Sequence, residues 1–330
     1  MRVRGKEWLW SLLVAVSLGV STQVHAACSA VATSPASFGP VSSMSVLATA
    51  QLSSTTNAGL SCTPLLLSIL GSGDQFTAKI TGSTQGGMLG PTGDVIPYTI
   101  YGNNSTTYPI TRGSTFDFGG SSGIAQSYGL VFGPGTKTLP LYLRSVAGSN
   151  VAAGLYSETL SIVWTWNYCS TINLIGICLG RDSGTGTQAL TVSMLVTNDC
   201  LITTPAIAFG SAPVVSGFAT VNGQASVNCT KGSAYTVGLS DGQQPVSVGG
   251  RRRMISGSNY LAYDIFVSAG TTRWGSVGAA RRASATADIN PGNGLGTGSQ
   301  GFNYNAKIYT DQATPPGGTY LDNVVLDVGF

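Results

Sequence analysis

The chain is written twice. From Cys28 it reads CSAVATSPASFGPV and reaches Ser61-Cys62-Thr63; from Cys200 it reads CLITTPAIAFGSAPV and reaches Asn228-Cys229-Thr230. Each copy has a cysteine, a Phe-Gly nine or ten residues on, and a second Cys-Thr about thirty residues after the first. The match continues where Gln75-Phe76-Thr77-Ala78-Lys79-Ile80 stands opposite Ala234-Tyr235-Thr236-Val237-Gly238-Leu239. Met88 then precedes Tyr98-Thr99-Ile100-Tyr101 as Met254 precedes Tyr260-Leu261-Ala262-Tyr263. Each copy finishes on Gly-x-Tyr-x-acid: Gly154, Tyr156, Glu158 and Gly318, Tyr320, Asp322. A repeat held in order through both halves predicts two homologous folding units.

Within each unit apolar residues recur at every second position. Val324, Leu326 and Val328 share one face and Asp327 takes the other, the period of a half-buried strand. Clusters such as Gly86-Gly87, Gly133-Pro134-Gly135 and Pro315-Pro316-Gly317-Gly318 punctuate these segments as turns. A chain rich in Gly, Ser, Thr, Val and Tyr without a long amphipathic pattern reads as all-β, and short strands at this spacing predict two tandem immunoglobulin-like β-sandwich domains. Pattern alone leaves a barrel open.

At the N-terminus Arg2, Arg4 and Lys6 precede an apolar run from Trp8 to Val20 and then Val24-His25-Ala26, the order of a secretory signal peptide. The expected organisation is therefore a leader over 1–26, a first unit over 27–168, a disulfide-pinned linker over 169–186 and a second unit over 187–330. Of the net charge of +3, +2 belongs to the leader. Charged residues make up 9% of the chain, with no concentrated basic face, which argues against nucleic acid as a partner. All six cysteines, Cys28, Cys62, Cys169, Cys178, Cys200 and Cys229, follow the leader, and an even count in an exported chain predicts disulfides. Fifteen pairings are possible; the repeat favours Cys28 with Cys62, Cys200 with Cys229, and the local pair Cys169 with Cys178.

Enzyme chemistry finds little material here. The only histidine, His25, belongs to the leader, which removes imidazole acid–base and metal chemistry from the exported part. Paired cysteines leave no thiolate. Asp117, Glu158, Asp182 and Asp199 form no motif, and the glycine runs at 90–94 and 292–298 lack phosphate-loop spacing. The expectation is a non-enzyme without cofactor or metal.

Cys229-Thr230, Arg253-Met254, Tyr260-Leu261-x-Tyr263-x-Ile265-Phe266, Thr272-Arg273-Trp274-Gly275 and the final Gly-x-Tyr-x-Asp-x-Val together resemble the spore coat protein U domain, found in pilins of archaic, Csu-type chaperone–usher pili. The likeness covers Cys200 to Phe330 well and Cys28 to Trp166 more loosely, since the first half lacks the Trp-Gly element. Two such halves behind one leader resemble the two-domain tip adhesin of these pili. The resemblance implies a route through the periplasm to the cell surface. Its implied partners are a periplasmic chaperone, an outer-membrane usher, the next pilin subunit, and an abiotic or host surface.

Read this way, the last strand of each half is the penultimate strand of its sandwich, and the second is an incomplete sandwich lacking its last strand. Tyr320, Val324, Leu326, Val328 and Phe330 are the expected wall of a groove that another chain fills by β-augmentation. The chain stops at Phe330, which points to an acceptor; at most Ala27 precedes Cys28 after cleavage, which leaves no strand to donate and points to the tip. In the first half, residues 189–196 form a further alternating strand that completes the first unit, opens the second, or does part of both.

For the surface-binding end, counting hairpins back from the strand at Gly154 to Trp166 places the loops 145–153, 86–96 and 53–58 at the tip. Met88, Leu89, Val95, Ile96, Val146 and Val151 are the candidate contacts with a hydrophobic surface, the expected function being attachment and biofilm formation. The apolar stretch 171–177 is expected at the domain junction, and Leu65 to Leu70 in a buried strand. The alternatives are a lectin-like module using Tyr98, Tyr101 and Tyr108, or a coat or matrix protein.

Overall fold

The computed structural model describes residues 27–63, 73–119, 123–128, 136–170, 173–174, 177–178 and 180–330. The expected leader and the stretch Leu65 to Leu70 lie outside them. In the first unit the strands are β1 (Ala27–Ala30), β2 (Ala36–Ser42), β3 (Leu52–Thr55), β4 (Leu60–Thr63), β5 (Gln75–Thr81), β6 (Gly87–Leu89) and β7 (Val95–Tyr101). The short β8 (Pro109–Ile110), β9 (Thr115–Asp117) and β10 (Lys137–Thr138) precede β11 (Leu141–Ser145) and the long β12 (Gly154–Cys169). A small hairpin of β13 (Asn173–Leu174) and β14 (Ile177–Cys178) leads into β15 (Arg181–Thr197), and one short helix, α1 (Ser43–Ala48), follows β2.

Strand β12 is the spine of this unit. Its alternation is the cause: Tyr156, Glu158, Leu160, Ile162, Trp164 and Trp166 are buried, while the residues between them face outward. On one side it pairs with β6 near its start and with β5 from Ser161 to Asn167. Along the other side lies β15, antiparallel from Gly154 opposite Val196 to Cys169 opposite Arg181. In turn β15 pairs in parallel with β2, from Val192 opposite Ala36 to Thr197 opposite Ser42. Leu190, Val192, Met194 and Val196 thereby enter the first core. The strand that the sequence reading placed in the second unit from residue 187 is thus hydrogen-bonded into the first, which it completes.

The second unit has two facing sheets and a separate core around Trp274, Phe302, Val237 and Ile265. Its strands are β16 (Cys200–Thr203), β17 (Val221–Cys229), β18 (Thr236–Leu239), β19 (Arg252–Ser256), β20 (Asn259–Val267), β21 (Arg282–Ala283), β22 (Gln300–Ile308) and β23 (Leu326–Gly329). One sheet runs β16-β17-β22-β20-β19 and the other β21-β18-β23. The architecture is all-β, two tandem immunoglobulin-like sandwiches, the second without a closing strand. The three disulfides are Cys28–Cys62, joining β1 to its partner β4, Cys200–Cys229, joining β16 to its partner β17, and Cys169–Cys178 at the end of the β12–β15 hairpin.

Candidate strand-acceptor groove

The Gly-x-Tyr-x-acid motif does the same work in both copies. Tyr156 Oη donates to the carbonyl of Ala152 at 2.8 Å, and Tyr320 Oη to that of Pro316 at 2.8 Å, each reaching four residues back in the manner of a tyrosine corner. The acid two residues on takes a tyrosine hydroxyl from another strand, β7 in the first copy and β20 in the second. Tyr98 Oη donates to Glu158 Oε2 at 2.6 Å, and Tyr263 Oη donates to Asp322 Oδ2 at 2.8 Å. Around Glu158 the Arg112 guanidinium makes two further bonds, at 2.6 and 3.0 Å, and the Ser83 amide one at 2.7 Å. Burial opposes ionisation of this carboxyl, but the bonds from Arg112, Tyr98 and Ser83 outweigh it and hold Glu158 below the usual carboxylate range. Burial, with Glu158 as acceptor, pushes the Tyr98 hydroxyl well above its ordinary value.

What flanks the motif differs between the copies. In the first, β15 fills the space between β12 and β2 with its four inward side chains. In the second, β23 pairs with β18 on one edge, and no strand among the described residues pairs with the other. Phe38-Gly39 in β2 corresponds to Phe209-Gly210, and the segment 207–213 likewise has no partner strand. Between them lies a cavity of about 520 Å³. Ile207 and Phe209 form one wall, Tyr320, Val324 and Leu326 the other, and Tyr263, Ile265 and Trp274 line it between. Trp274 is fixed by its indole N–H, which donates to the Val237 carbonyl at 2.9 Å.

Of the five groove residues read from the sequence, Tyr320, Val324 and Leu326 line the cavity. Val328 packs on the same core beyond it, and the exposed Phe330 stands edge-on to Tyr235 at 6.5 Å. The Ile207 and Phe209 wall was not anticipated, although the repeated Phe-Gly carried the signal. Nor was the buried pair Arg252–Asp264, although Arg252 and Arg282 stand in runs of arginine at 251–253 and 281–282; both are buried.

The proposed tip loops require correction. Met88, Ile96 and Val151 are buried in the first core, Val95 is half-buried, and only Leu89 and Val146 are exposed, at 43% and 47%. Loops 86–96 and 145–153 lie beside the second unit: Lys231 Nζ pairs with Asp94 Oδ1, and Asn150 donates to the Leu295 carbonyl at 2.9 Å. Ala152 forms a bridge with Lys231, and Ser43 Oγ lies 2.6 Å from Thr230 Oγ1. The third segment, 53–58, is partly strand β3 and turns in beside β12, where the Trp164 indole N–H donates to Ala58. The physical reason is strand direction: β12 runs away from the second unit and β15 runs back. The opposite, distal end therefore carries the Cys169–Cys178 disulfide, with Thr63, Gly73 and Gly119 beside it, while residues 171, 172, 175 and 176 of the stretch expected at the junction lie outside the described residues. For the lectin alternative, Tyr98 is buried and bonded to Glu158, so its ring is closed to a sugar.

The fold and groove define a class, two-unit sandwich proteins with one unit completed by its own β15 and one whose groove no strand among the described residues fills. The spore coat protein U domain model matches residues 14–163 and 186–327, and the chain belongs to that family. Among solved structures it is similar to a chain of the CsuC–CsuE chaperone–tip adhesion subunit pre-assembly complex from archaic chaperone–usher Csu pili of Acinetobacter baumannii. That match has 25% identity and a TM-score of 0.62, over 92% of this chain and 100% of the other. The CupB6 tip adhesin from Pseudomonas aeruginosa matches at 12% identity and a TM-score of 0.29, covering 93% of this chain and 95% of that one, too loosely to carry an argument. A search of curated proteins finds no match.

Proposed function

We propose that the protein is an adhesion subunit of a chaperone–usher pilus, joined to the pilus through the groove of its second unit and meeting its target with the distal end of its first. The observation that carries this reading is the pair of grooves, one filled by β15 and one open, built on the same Tyr-x-acid frame. An unfilled groove leaves backbone donors and apolar side chains unsatisfied until a strand enters. A periplasmic chaperone and then a pilin strand are the occupants suggested by likeness to the Csu complex. The usher and the route through the periplasm to the pilus tip belong to the same reading. By strand pairing we place the border between the units after Thr197, at 198–199.

The adhesive contact moves accordingly to the distal end, away from Met88, Leu89, Val95, Ile96, Val146 and Val151. The sequence has apolar residues between Thr63 and Gly73, at Leu65 to Leu70, and between Cys169 and Cys178, at Ile172 to Ile177. Hydrophobic contact summed over many pili by avidity suits attachment to abiotic surfaces and biofilm growth. Co-production with the cognate chaperone tests the core of this reading. A one-to-one complex lost on Leu326→Glu is expected, whereas a stable, chaperone-free monomer whose groove takes no strand would remove its basis.

A further inference from the structure

Filling a groove buries its acid, and the two copies are not equally prepared for it. In the first, Glu158 is 5% exposed, with Val192 of β15 directly opposite. A carboxylate taken out of water needs a counter-charge. Arg112 supplies it through two bonds, its guanidinium lying 4.7 Å from the centre of the Tyr98 ring.

Asp322 holds the same place in the second copy. Leu326 pairs with Leu239 as Ile162 pairs with Ile80, and Ile255 bridges to Leu321 as Leu89 pairs with Ser157, so the two groove walls share one register. The partners of Asp322, however, are all neutral: the Tyr263 hydroxyl and the amides of Gln243 and Asn323. Among the described residues no ion pair reaches it. The cations of the adjoining elements are engaged elsewhere, Arg252 with Asp264 and Arg273 with Asp264 and Asp241. Asp322 is half-buried and borders the open cavity together with Tyr263.

We infer that Asp322 selects the strand that fills the groove: that strand carries a lysine or arginine at the position opposite Asp322, whose charge does for this carboxylate what Arg112 does for Glu158. The inference rests on the strand-accepting reading above. Its position follows from the first unit, where β15 runs antiparallel to β12 and parallel to β2 and sets Val192 between Glu158 and Ala36. The corresponding place lies between Asp322 and Ile207, with apolar residues expected two positions to either side, opposite Val324 and Tyr320, as Leu190 and Met194 stand opposite Leu160 and Tyr156. A long cationic side chain lays its stem along Ile207 and brings its head to the carboxylate. Val192 is apolar because Glu158 is already balanced by Arg112; an apolar residue opposite Asp322 would seal in an unbalanced charge.

Strand exchange on the complex of the whole protein with its chaperone tests this. The probes are synthetic peptides of residues 184–197, one unaltered, one Val192→Lys and one Val192→Glu, and displacement of the chaperone is read by native mass spectrometry. The lysine peptide is expected to bind about tenfold more tightly than the valine peptide, the margin of one hydrogen bond to a charged group, with the glutamate peptide weakest. Asp322→Asn should bring the lysine and valine peptides to within about threefold, whereas Asp322→Glu should keep the order. A lysine peptide that binds the unaltered protein no more tightly than the valine peptide overturns the selection and leaves the groove standing, as does an undiminished lysine preference in Asp322→Asn. Failure of all three peptides to enter the unaltered protein overturns the groove as well.

Discussion

The Tyr98 hydroxyl lies 2.6 Å from Glu158 Oε2 inside the first unit, and the second unit makes the same bond with Tyr263 and Asp322. The Glu158 copy is the more buried and holds Arg112 as well. Replacing Tyr98 by Phe removes one bond to a charged acceptor and is expected to cost about 2 kcal/mol. Glu158→Ala leaves Arg112 half-buried without its anion and is expected to cost about 3 kcal/mol. Both are read from the thermal midpoint of the first unit.

The same carboxyl predicts a pH dependence. Its folded-state pKa lies below its unfolded value near 4.3, so its contribution is present above about pH 4.3 and disappears as pH falls through the lower folded value. Asp94, Asp241 and Asp288 are also held low and share this acid window. The specific outcome is therefore a difference: in melts from pH 7 to pH 2.5, Glu158→Gln flattens the acid slope of the first unit and leaves that of the second unchanged. An identical slope in both proteins would count against the assignment.

How much of this could be read from sequence follows from what alternation and repetition encode. A period of two fixes which side chains face inward, so the all-β class, the groove wall at Val324 and Leu326, and the burial of Tyr156 follow from local pattern. The repeat aligns the cysteines, and the disulfides follow. Strand direction is not local. Whether Gly154 or Cys169 points toward the second unit depends on β15 returning along β12, and one added strand inverts which loops share an end. That is why Met88 and Val151, apolar and loop-adjacent in sequence, prove to be core next to the junction. Arg252 was hidden for a related reason, since its burial is set by Asp264 on the adjoining strand and by three carbonyls from elsewhere.

Completing the second unit in cis should abolish its need for a partner. A short turn followed by a copy of residues 184–197, appended after Phe330, would lay the inward residues of β15 into the groove by the register of the first unit. Burying those apolar side chains, less the cost of ordering the strand, gives about 3 kcal/mol, or about 10 °C in the midpoint of a unit this size. Chaperone binding should be lost in the same protein. A stabilised protein that still captures the chaperone would show that the chaperone is held elsewhere.

The two disulfides of the first unit are expected to separate stability from adhesion. Cys28–Cys62 spans 34 residues and staples β1 to β4, whereas Cys169–Cys178 spans nine and closes a turn at the distal end. Loop entropy assigns about 4 kcal/mol to the first and about 2.5 to the second. Replacing both Cys169 and Cys178 by Ser should therefore lower the midpoint less than removing the longer bridge. Pili carrying that variant should still form, yet attach several-fold less to polystyrene. Undiminished attachment with the distal turn unpinned would place the adhesive contact elsewhere.

Arg252 and Asp264 test what holds the groove open. Both side chains are fully buried and joined at 2.5 Å, and the guanidinium also donates to the carbonyls of Leu239, Ser240 and Trp274. Those carbonyls belong to the end of β18 and to the tryptophan lining the cavity, so the arginine clamps one groove element to β20. Asp264→Leu leaves a buried cation uncompensated and should cost about 3 to 5 kcal/mol. Adding Arg252→Met removes the stranded charge and should recover part of this, as apolar replacements of buried ion pairs do. Recovery should remain incomplete, because three carbonyls then lack their donor. Affinity for the chaperone should follow the geometry more closely than the charge: the double variant, although more stable than Asp264→Leu, is expected to bind at least tenfold more weakly than the unaltered protein. Full binding by a stable double variant would show that the groove keeps its shape without the clamp.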